Sequence, residues 1–348
     1  MSIGVAIIGS GIFAKTEHLP AVEASPNLTL KAIYSRSLAS ARALSPSSPS
    51  IDLYSADSGA GKTYHDLLLR DDITAVILAL PILAQPEYIE AALAAGKHVL
   101  SEKPVAGDVK AARKLIDFYR GGKGKQGATW GVAENFRYLD SFAFGAAEAR
   151  RLGKVVGFRV KMFACVKEGD KYFETAWRKK PEYQGGFLLD GGVHFISATR
   201  LLLGADAKPT LLSAYTTQLK QHLPPVDTVN SIWQTASGIS GTFSVSFGTS
   251  LSGSEYVIAC ENGSVTVSMG RVVVTQGTEK DGENTIREFS NEGNGVKQEV
   301  KAWAEALSRG TVNDKQSPEQ ALADLEILEA MLKSGEKNGE GVKLQHQI

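Results

Sequence analysis

The residues that most restrict the fold of this chain stand at its start. Ile3–Ile8 is an unbroken apolar run, and Gly9-Ser10-Gly11-Ile12-Phe13-Ala14 follows at once. A short run with no polar face reads as a strand buried on both sides, a property of parallel sheets. G-x-G-x-x-A after a strand and at the opening of a helix is the dinucleotide fingerprint. Gly9 allows the tight turn, Gly11 lets a pyrophosphate approach the backbone, and Ala14 keeps helix and sheet close. The helix amino terminus then stabilises phosphate charge. Gly9, Gly11, Ile12, Phe13 and Ala14 are therefore candidate cofactor-binding residues.

The pattern continues as strand and helix in turn. LTLKAIYS (28–35), AVILAL (75–80), KHVLSE and ATWGVAE read as strands. LASARAL, TYHDLLLR, PEYIEAALAAG and DVKAARKLIDFYR read as helices, with Gly96 as a carboxyl-terminal cap. SPSSPSIDLYSADSGAGK reads as a surface loop with at most a short strand inside it. Such alternation predicts a Rossmann-type parallel sheet. Near residue 150 the pattern changes. VVGFRVKMFACV, TLLSAYTTQL, NSIWQTAS, GTFSVSFG, SEYVIAC, GSVTVSM and RVVVTQ are strand candidates, several with alternating polar and apolar residues. That predicts a mostly antiparallel sheet with unlike faces. Glu261-Asn262-Gly263 reads as a hairpin turn, and two helices close the chain, around VKAWAEALSRG and SPEQALADLEILEAMLKSG. The 348 residues are too many for one ordinary core. The fold class is α/β, with a Rossmann domain over 1–127 and an α+β substrate-binding domain over 128–348.

Lys plus Arg equals Asp plus Glu, 38 each, so no basic excess points to nucleic acid or to a membrane surface. No apolar run reaches the length of a membrane span, and the start lacks the features of a signal peptide. Cys165 and Cys260 sit in strand-like runs and read as buried thiols of a reducing compartment. A cytoplasmic protein acting on a small molecule is expected, with no metal.

The end of the second strand chooses between cofactors. An NAD site usually places a carboxylate there, to accept from the ribose hydroxyls. Here the residues are Tyr34-Ser35-Arg36-Ser37. Arg36 can pair with a 2′-phosphate and Ser35 can donate to it, which favours NADP over NAD. The fifth run ends in Glu102-Lys103-Pro104, at the sheet edge where ligands sit in open α/β sheets. In GGFLLDGGVHF (185–195) only Asp190 and His194 are ionisable. Four residues apart, they share one face of a helix, either as a core pair or as chemical groups.

These motifs together resemble the glucose–fructose oxidoreductase/inositol dehydrogenase (Gfo/Idh/MocA) family, in particular a fungal NADP-dependent branch of it. The resemblance rests on GSGIFA, AALAAGKHVLSEKP, VAENFRY, WRKKPEYQGGFLLDGGVHFI and YVIACENGSVTV, spread over most of the chain. It implies that Lys103, Asp190 and His194 form a catalytic trio that also touches substrate. It further implies that Glu102, Leu80, Pro81 and Asn135 lie beside the cofactor, and that Trp177 and Arg178 cover cofactor or substrate. Subunit contacts through the second sheet, giving a homodimer or a higher homo-oligomer, are implied in the same way. The run Pro81-Ile82-Leu83-Ala84-Gln85 departs from the family, which commonly carries an Asn and a His there.

Oxidation of an alcohol removes a hydroxyl proton as hydride leaves the carbon. His194 titrates nearest neutrality and suits the proton transfer. Lys103 suits the developing alkoxide, or acts as the base itself if burial lowers its pKa. Asp190 would orient the imidazole or bind a substrate hydroxyl. Tyr172 and Tyr183 precede the glycine run and are within reach of a substrate there. His18, His65, His98 and His222 read as surface or structural residues, and Trp130, Trp233 and Trp303 as packing. The expected activity is NADP-dependent hydride transfer at a hydroxyl or carbonyl carbon of a sugar, polyol or small aldehyde. The alternatives are a nucleotide-sensing regulator of the same fold and a reductase of C=C or C=N bonds.

Overall fold

The computed structural model describes residues 2–45, 51–277 and 283–348. The chain forms two compact units, Met1–Asn135 with Val296–Ala321, and Phe136–Gly295 with Leu322–Ile348.

Among the described residues, the first unit holds a six-stranded sheet. Its strands are β1 (Ile3–Ile8), β2 (Leu28–Ser35), β3 (Asp52–Ser55), β4 (Ala75–Leu78), β5 (His98–Glu102) and β6 (Trp130–Ala133). All pairs are parallel, in the order β3-β2-β1-β4-β5-β6. The short β3 lies in the expected loop, of which residues 46–50 fall outside the described ones. The order reverses at β1 and β4, the switch point at which open α/β sheets bind ligands. Register sets what emerges there. Ile8 pairs with Tyr34 and Leu78, Leu78 with Ser101, and Glu102 with Ala133. Gly9, Ser35-Arg36, Leu80-Pro81, Lys103 and Glu134-Asn135 therefore leave one sheet edge.

Val5–Ile8 and Ala75–Leu78 are fully buried, because helices cover both faces. On one face Val5, Ile7, Ile33 and Ile77 pack with Ala14, Leu19, Val22, Ala41 and Leu44. Val296, Val300 and Trp303 of the late helix Val296–Ser308 complete this core. The helix Gln85–Ala94 ends as expected before Gly96, whose φ is +82°.

Among the described residues, the second unit holds a nine-stranded sheet. Its strands are β7 (Val155–Cys165), β8 (Pro209–Thr217), β9 (Thr228–Thr235), β10 (Ser240–Ser246), β11 (Gly248–Cys260), β12 (Gly263–Ser268), β13 (Arg271–Gln276), β14 (Glu283–Glu288) and β15 (Val342–Lys343). Their order is β14-β13-β12-β11-β7-β10-β9-β8-β15. The pairing is antiparallel except between β7 and β10. The faces differ as the alternation predicts. Along β9, Val229, Ser231 and Trp233 are buried while Asn230, Ile232 and Gln234 are exposed. Trp233 stacks on Phe243 at 4.6 Å. The helices Asp140–Arg151 and Val193–Leu203 pack on this sheet, with Phe142 set edge-on to Tyr256 at 4.9 Å. The two outermost strands escape sequence reasoning. β14 is exposed throughout, and β15 is two residues joined to β8.

The core of this unit contains charge. Asp324 accepts from Arg200 Nη1 at 2.7 Å through Oδ1, and from Arg137 Nη2 through Oδ2. Neither arginine side chain is more than 7% exposed. Burial lowers the pKa of Arg200, and the Asp324 charge opposes that shift. The cysteines are free, Cys260 buried and Cys165 only half-buried, which corrects the expectation for Cys165. Cys165 sits near the end of β7, where packing thins. Among the described residues, no helix is long and apolar enough to cross a membrane.

Candidate active site

At the edge of the first sheet, the two fingerprint glycines do different work. Gly9 has φ +105°, and a Cβ there would lie 2.2 Å from the Ala79 carbonyl oxygen. Its N–H donates to the Tyr34 carbonyl at 2.8 Å, tying β1 to β2. A Cβ on Gly11 would meet nothing within 4 Å. The Gly11 position is thus open on the side a side chain would fill, the room a pyrophosphate requires. Gly11→Val is therefore expected to weaken binding of a nicotinamide dinucleotide more than tenfold, with Tm within about 2 °C of the parent. Fluorescence titration and thermal melting check the two halves.

Behind the turn the helix contains a wide π-type turn, Ala14–His18. Such a turn often marks a functional segment. It carries His18, fully buried, whose Nε2 lies 2.6 Å from Glu102 Oε1. Phe13 meets the His18 ring edge-on at 5.4 Å. The segment before Lys103 is thus tied to the fingerprint helix. His18 and Glu102 are 84 positions apart, so no local pattern could reveal the pair. Lys103 itself is half-buried.

Ser35 Oγ lies 2.6 Å from Ser10 Oγ, and Arg36 is exposed at the end of β2. A carboxylate does stand one strand over. Asp57 accepts from Ser55 Oγ at 2.6 Å and from the Leu38 N–H at 2.8 Å. These two bonds lower its pKa. Both bonds end on Oδ1 of this exposed carboxylate, and Arg36 is the cationic group at the end of β2. Leu80 is half-buried and Pro81 exposed, and Pro81 begins a single helical turn, Ile82–Ala84. Gln85 follows it, only 1% exposed, with no partner for its amide among the described residues. Asn135 is buried at the end of β6, where the Glu134 N–H donates to the Glu299 carboxylate.

In the second unit, Gly185 and Gly186 take φ of +72° and +48°. A Cβ on Gly185 would press Leu332, and one on Gly186 would press Pro224, each at 3.0 Å. The glycines thus let the next helix start hard against its neighbours. That helix opens with a π-type turn, Leu188–Gly192, and continues as Val193–Leu203. Asp190 and His194 therefore stand on either side of a change in helical pitch, which sequence spacing could not show. His194 is half-buried and stacks on Phe136 with centroids 4.9 Å apart and planes 20° apart. Asp190 is 8% exposed, and its Oδ2 accepts from Arg178 Nε at 2.5 Å. Arg178 lies over the rings of Trp177 at 4.0 Å and Tyr172 at 5.2 Å. Trp177 and Tyr183 are neighbours at 6.2 Å. Burial raises the Tyr183 pKa, and the Asp190 charge raises it further. The chain thus builds an aromatic and cationic enclosure around one carboxylate.

Residues 3–125 match the family model described as "Oxidoreductase family, NAD-binding Rossmann fold". Residues 146–344 match "Oxidoreductase family, C-terminal alpha/beta domain" of the same family. The chain belongs to the Gfo/Idh/MocA oxidoreductase family. It is 39% identical to Dehydrogenase FPY6 of Fusarium mangiferae over 345 residues, 97% of each chain. A solved oxidoreductase of Thermotoga maritima superposes with a TM-score of 0.85 at 29% identity, over 99% of this chain and 98% of that one. Two further structures share the fold. A 3-ketoreductase of Actinomadura kijaniata in complex with NADP gives a TM-score of 0.76 at 24% identity, covering 96% of this chain and 98% of its own. Levoglucosan dehydrogenase in complex with NADH gives 0.81 at 18%, covering 99% of each chain. The Gfo/Idh/MocA chain described here is an NAD(P)-dependent oxidoreductase, with a Rossmann first unit and a mostly antiparallel second sheet.

Proposed function

We propose that this chain is a cytoplasmic enzyme that transfers hydride between NADP and a hydroxyl or carbonyl carbon of a sugar, polyol or small aldehyde. Residues 1–127 form the Rossmann cofactor domain and 128–348 the substrate domain, with Asn135 and Trp177 of the latter also reaching the cofactor and Lys103 of the former the substrate. The observation that carries the cofactor half is the sheet edge, where the open Gly11 turn, Ser35 and the exposed Arg36 emerge together. When bound, the nicotinamide supplies the hydride acceptor or donor.

The protein's own residues do the rest. Gly9, Gly11, Ile12, Phe13 and Ala14 cradle the pyrophosphate. Ser35 and Arg36 take the 2′-phosphate. Leu80, Pro81, Glu102, Asn135 and Trp177 position the remainder of the cofactor. Lys103 stabilises negative charge on the substrate oxygen. His194 takes up or returns the hydroxyl proton, with the exchanged assignment as the competitor. Asp190 and Tyr183 hold substrate hydroxyls. The second sheet leaves Tyr215 64% and Ile232 58% exposed on the face turned away from its helices, and this surface joins subunits into a homodimer or higher homo-oligomer.

Arg36→Ala is expected to weaken NADPH binding about tenfold or more and to leave NADH binding within twofold, since only one cofactor carries the extra phosphate. Parallel fluorescence titrations read the ratio. The reading as a whole is tested by a turnover screen with NADP and NAD side by side on sugars, polyols and aldehydes. Faster turnover with NAD would remove the Ser35/Arg36 argument.

A further inference from the structure

We infer that Arg178 is a positioning residue for the reaction and that it acts through Asp190. The inference rests on the proposed role of Asp190 in holding the substrate. The side chains of the pair are 15% and 12% exposed. A carboxylate held that far from water is costly unless it is paired and hydrogen-bonded. Arg178 Nε supplies the partner at 2.5 Å.

The arginine is itself restrained from several sides. Its guanidinium lies 4.0 Å from the Trp177 ring centroid and 5.2 Å from that of Tyr172. Its Nη1 donates to Thr175 Oγ1 at 3.3 Å. All four residues come from one short segment, 172–178, whose only regular element is the helix Ala176–Lys179. The segment is therefore shaped to present one cation, flat and stacked, to one carboxylate. An arginine, planar and stackable, suits that task better than a lysine.

Two consequences follow for the chemistry. Asp190 is fixed in direction by Arg178, so it accepts a hydrogen bond from a substrate hydroxyl without reorienting. The Arg178 charge is neutralised locally, so Arg178 does not serve as a clamp for cofactor phosphate. Of the two roles the family resemblance implies for it, covering cofactor or covering substrate, this favours the second.

The test is a double-mutant cycle on steady-state turnover, with cofactor affinity measured in parallel. Arg178→Met is expected to lower kcat about a hundredfold, as a misplaced reacting group does, with the Kd for NADPH within twofold. Arg178→Lys recovers at least tenfold of that loss. Arg178→Met combined with Asp190→Asn is no slower than Asp190→Asn alone, because groups acting as a unit are not additive. Losses that multiply in the double variant overturn the inference. So does a tenfold weaker NADPH Kd in Arg178→Met with kcat retained, which would make Arg178 a cofactor contact. Should Arg178→Met fail to fold, Arg178→Lys alone and with Asp190→Asn completes the cycle. A wild-type chain that turns over no substrate would instead overturn the proposed function beneath it.

Discussion

Lys103→Met is expected to lower kcat about a thousandfold while the Kd for NADPH stays within threefold. A methionine keeps the length of the side chain and removes the charge. The loss therefore reports how much a cation contributes to the developing alkoxide, which no other group in the proposed mechanism supplies. Lys103 is half-buried and follows Glu102, whose Oε1 is 2.6 Å from the buried His18. The segment that presents it is held from the fingerprint helix, so the substitution leaves cofactor binding in place. Transient kinetics on NADPH-loaded protein measure both quantities. The companion variant His194→Ala should lose turnover and change the pH–rate profile. If His194→Ala keeps near-normal turnover with an unchanged profile, Lys103 is the proton carrier and His194 is not.

The second large effect concerns stability. Asp324→Ala is expected to destabilise the protein by about 3–5 kcal/mol, the usual cost of stranding a buried charge. Two buried guanidiniums pair with this carboxylate, Arg137 and Arg200, with side chains 4% and 7% exposed. Burial already works against the charged form of Arg200, and Asp324 offsets it. Arg137 follows closely on Asn135, so the loss would loosen the start of the second unit as well. Urea unfolding gives the value directly. A change below about 1 kcal/mol would mean that water or other groups compensate the arginines when the carboxylate is gone.

What could be read from the sequence was local. IGVAII followed by a glycine turn specifies strand, turn and helix within fourteen residues, and the structure has all three. The alternation in NSIWQTAS specifies a strand with one buried face, and β9 has it. Gly263 closes a tight hairpin between β11 and β12, as ENG predicts. What escaped was set by distant partners or by a departure from regular geometry. VKAWAEALSRG reads as a helix, but nothing in it says that Val300 and Trp303 join the core of the first unit, some 280 positions from Leu19 and Val22. ENTIRE has no apolar face, and β14 exists only because β13 offers it backbone partners. The spacing of Asp190 and His194 was plain, but the π-type turn that holds Asp190, ahead of the regular helix that holds His194, was not. Arg178 stood in the sequence as a cover for cofactor or substrate, and its ion pair with Asp190 needed coordinates. Asp57 shows the same limit for specificity. The absence of a carboxylate at the end of β2 is readable, whereas its engagement by Leu38 and Ser55 one strand over is not.

The most direct test of the account is isotope transfer from NADPH deuterated at the transferring C4 position. The account predicts that deuterium appears at the carbonyl carbon of a reduced sugar or aldehyde, at a rate that falls with Lys103→Met. Tight NADPH binding with no deuterium in any carbonyl compound of a broad panel would contradict it, and would instead describe a nucleotide sensor built on the same fold.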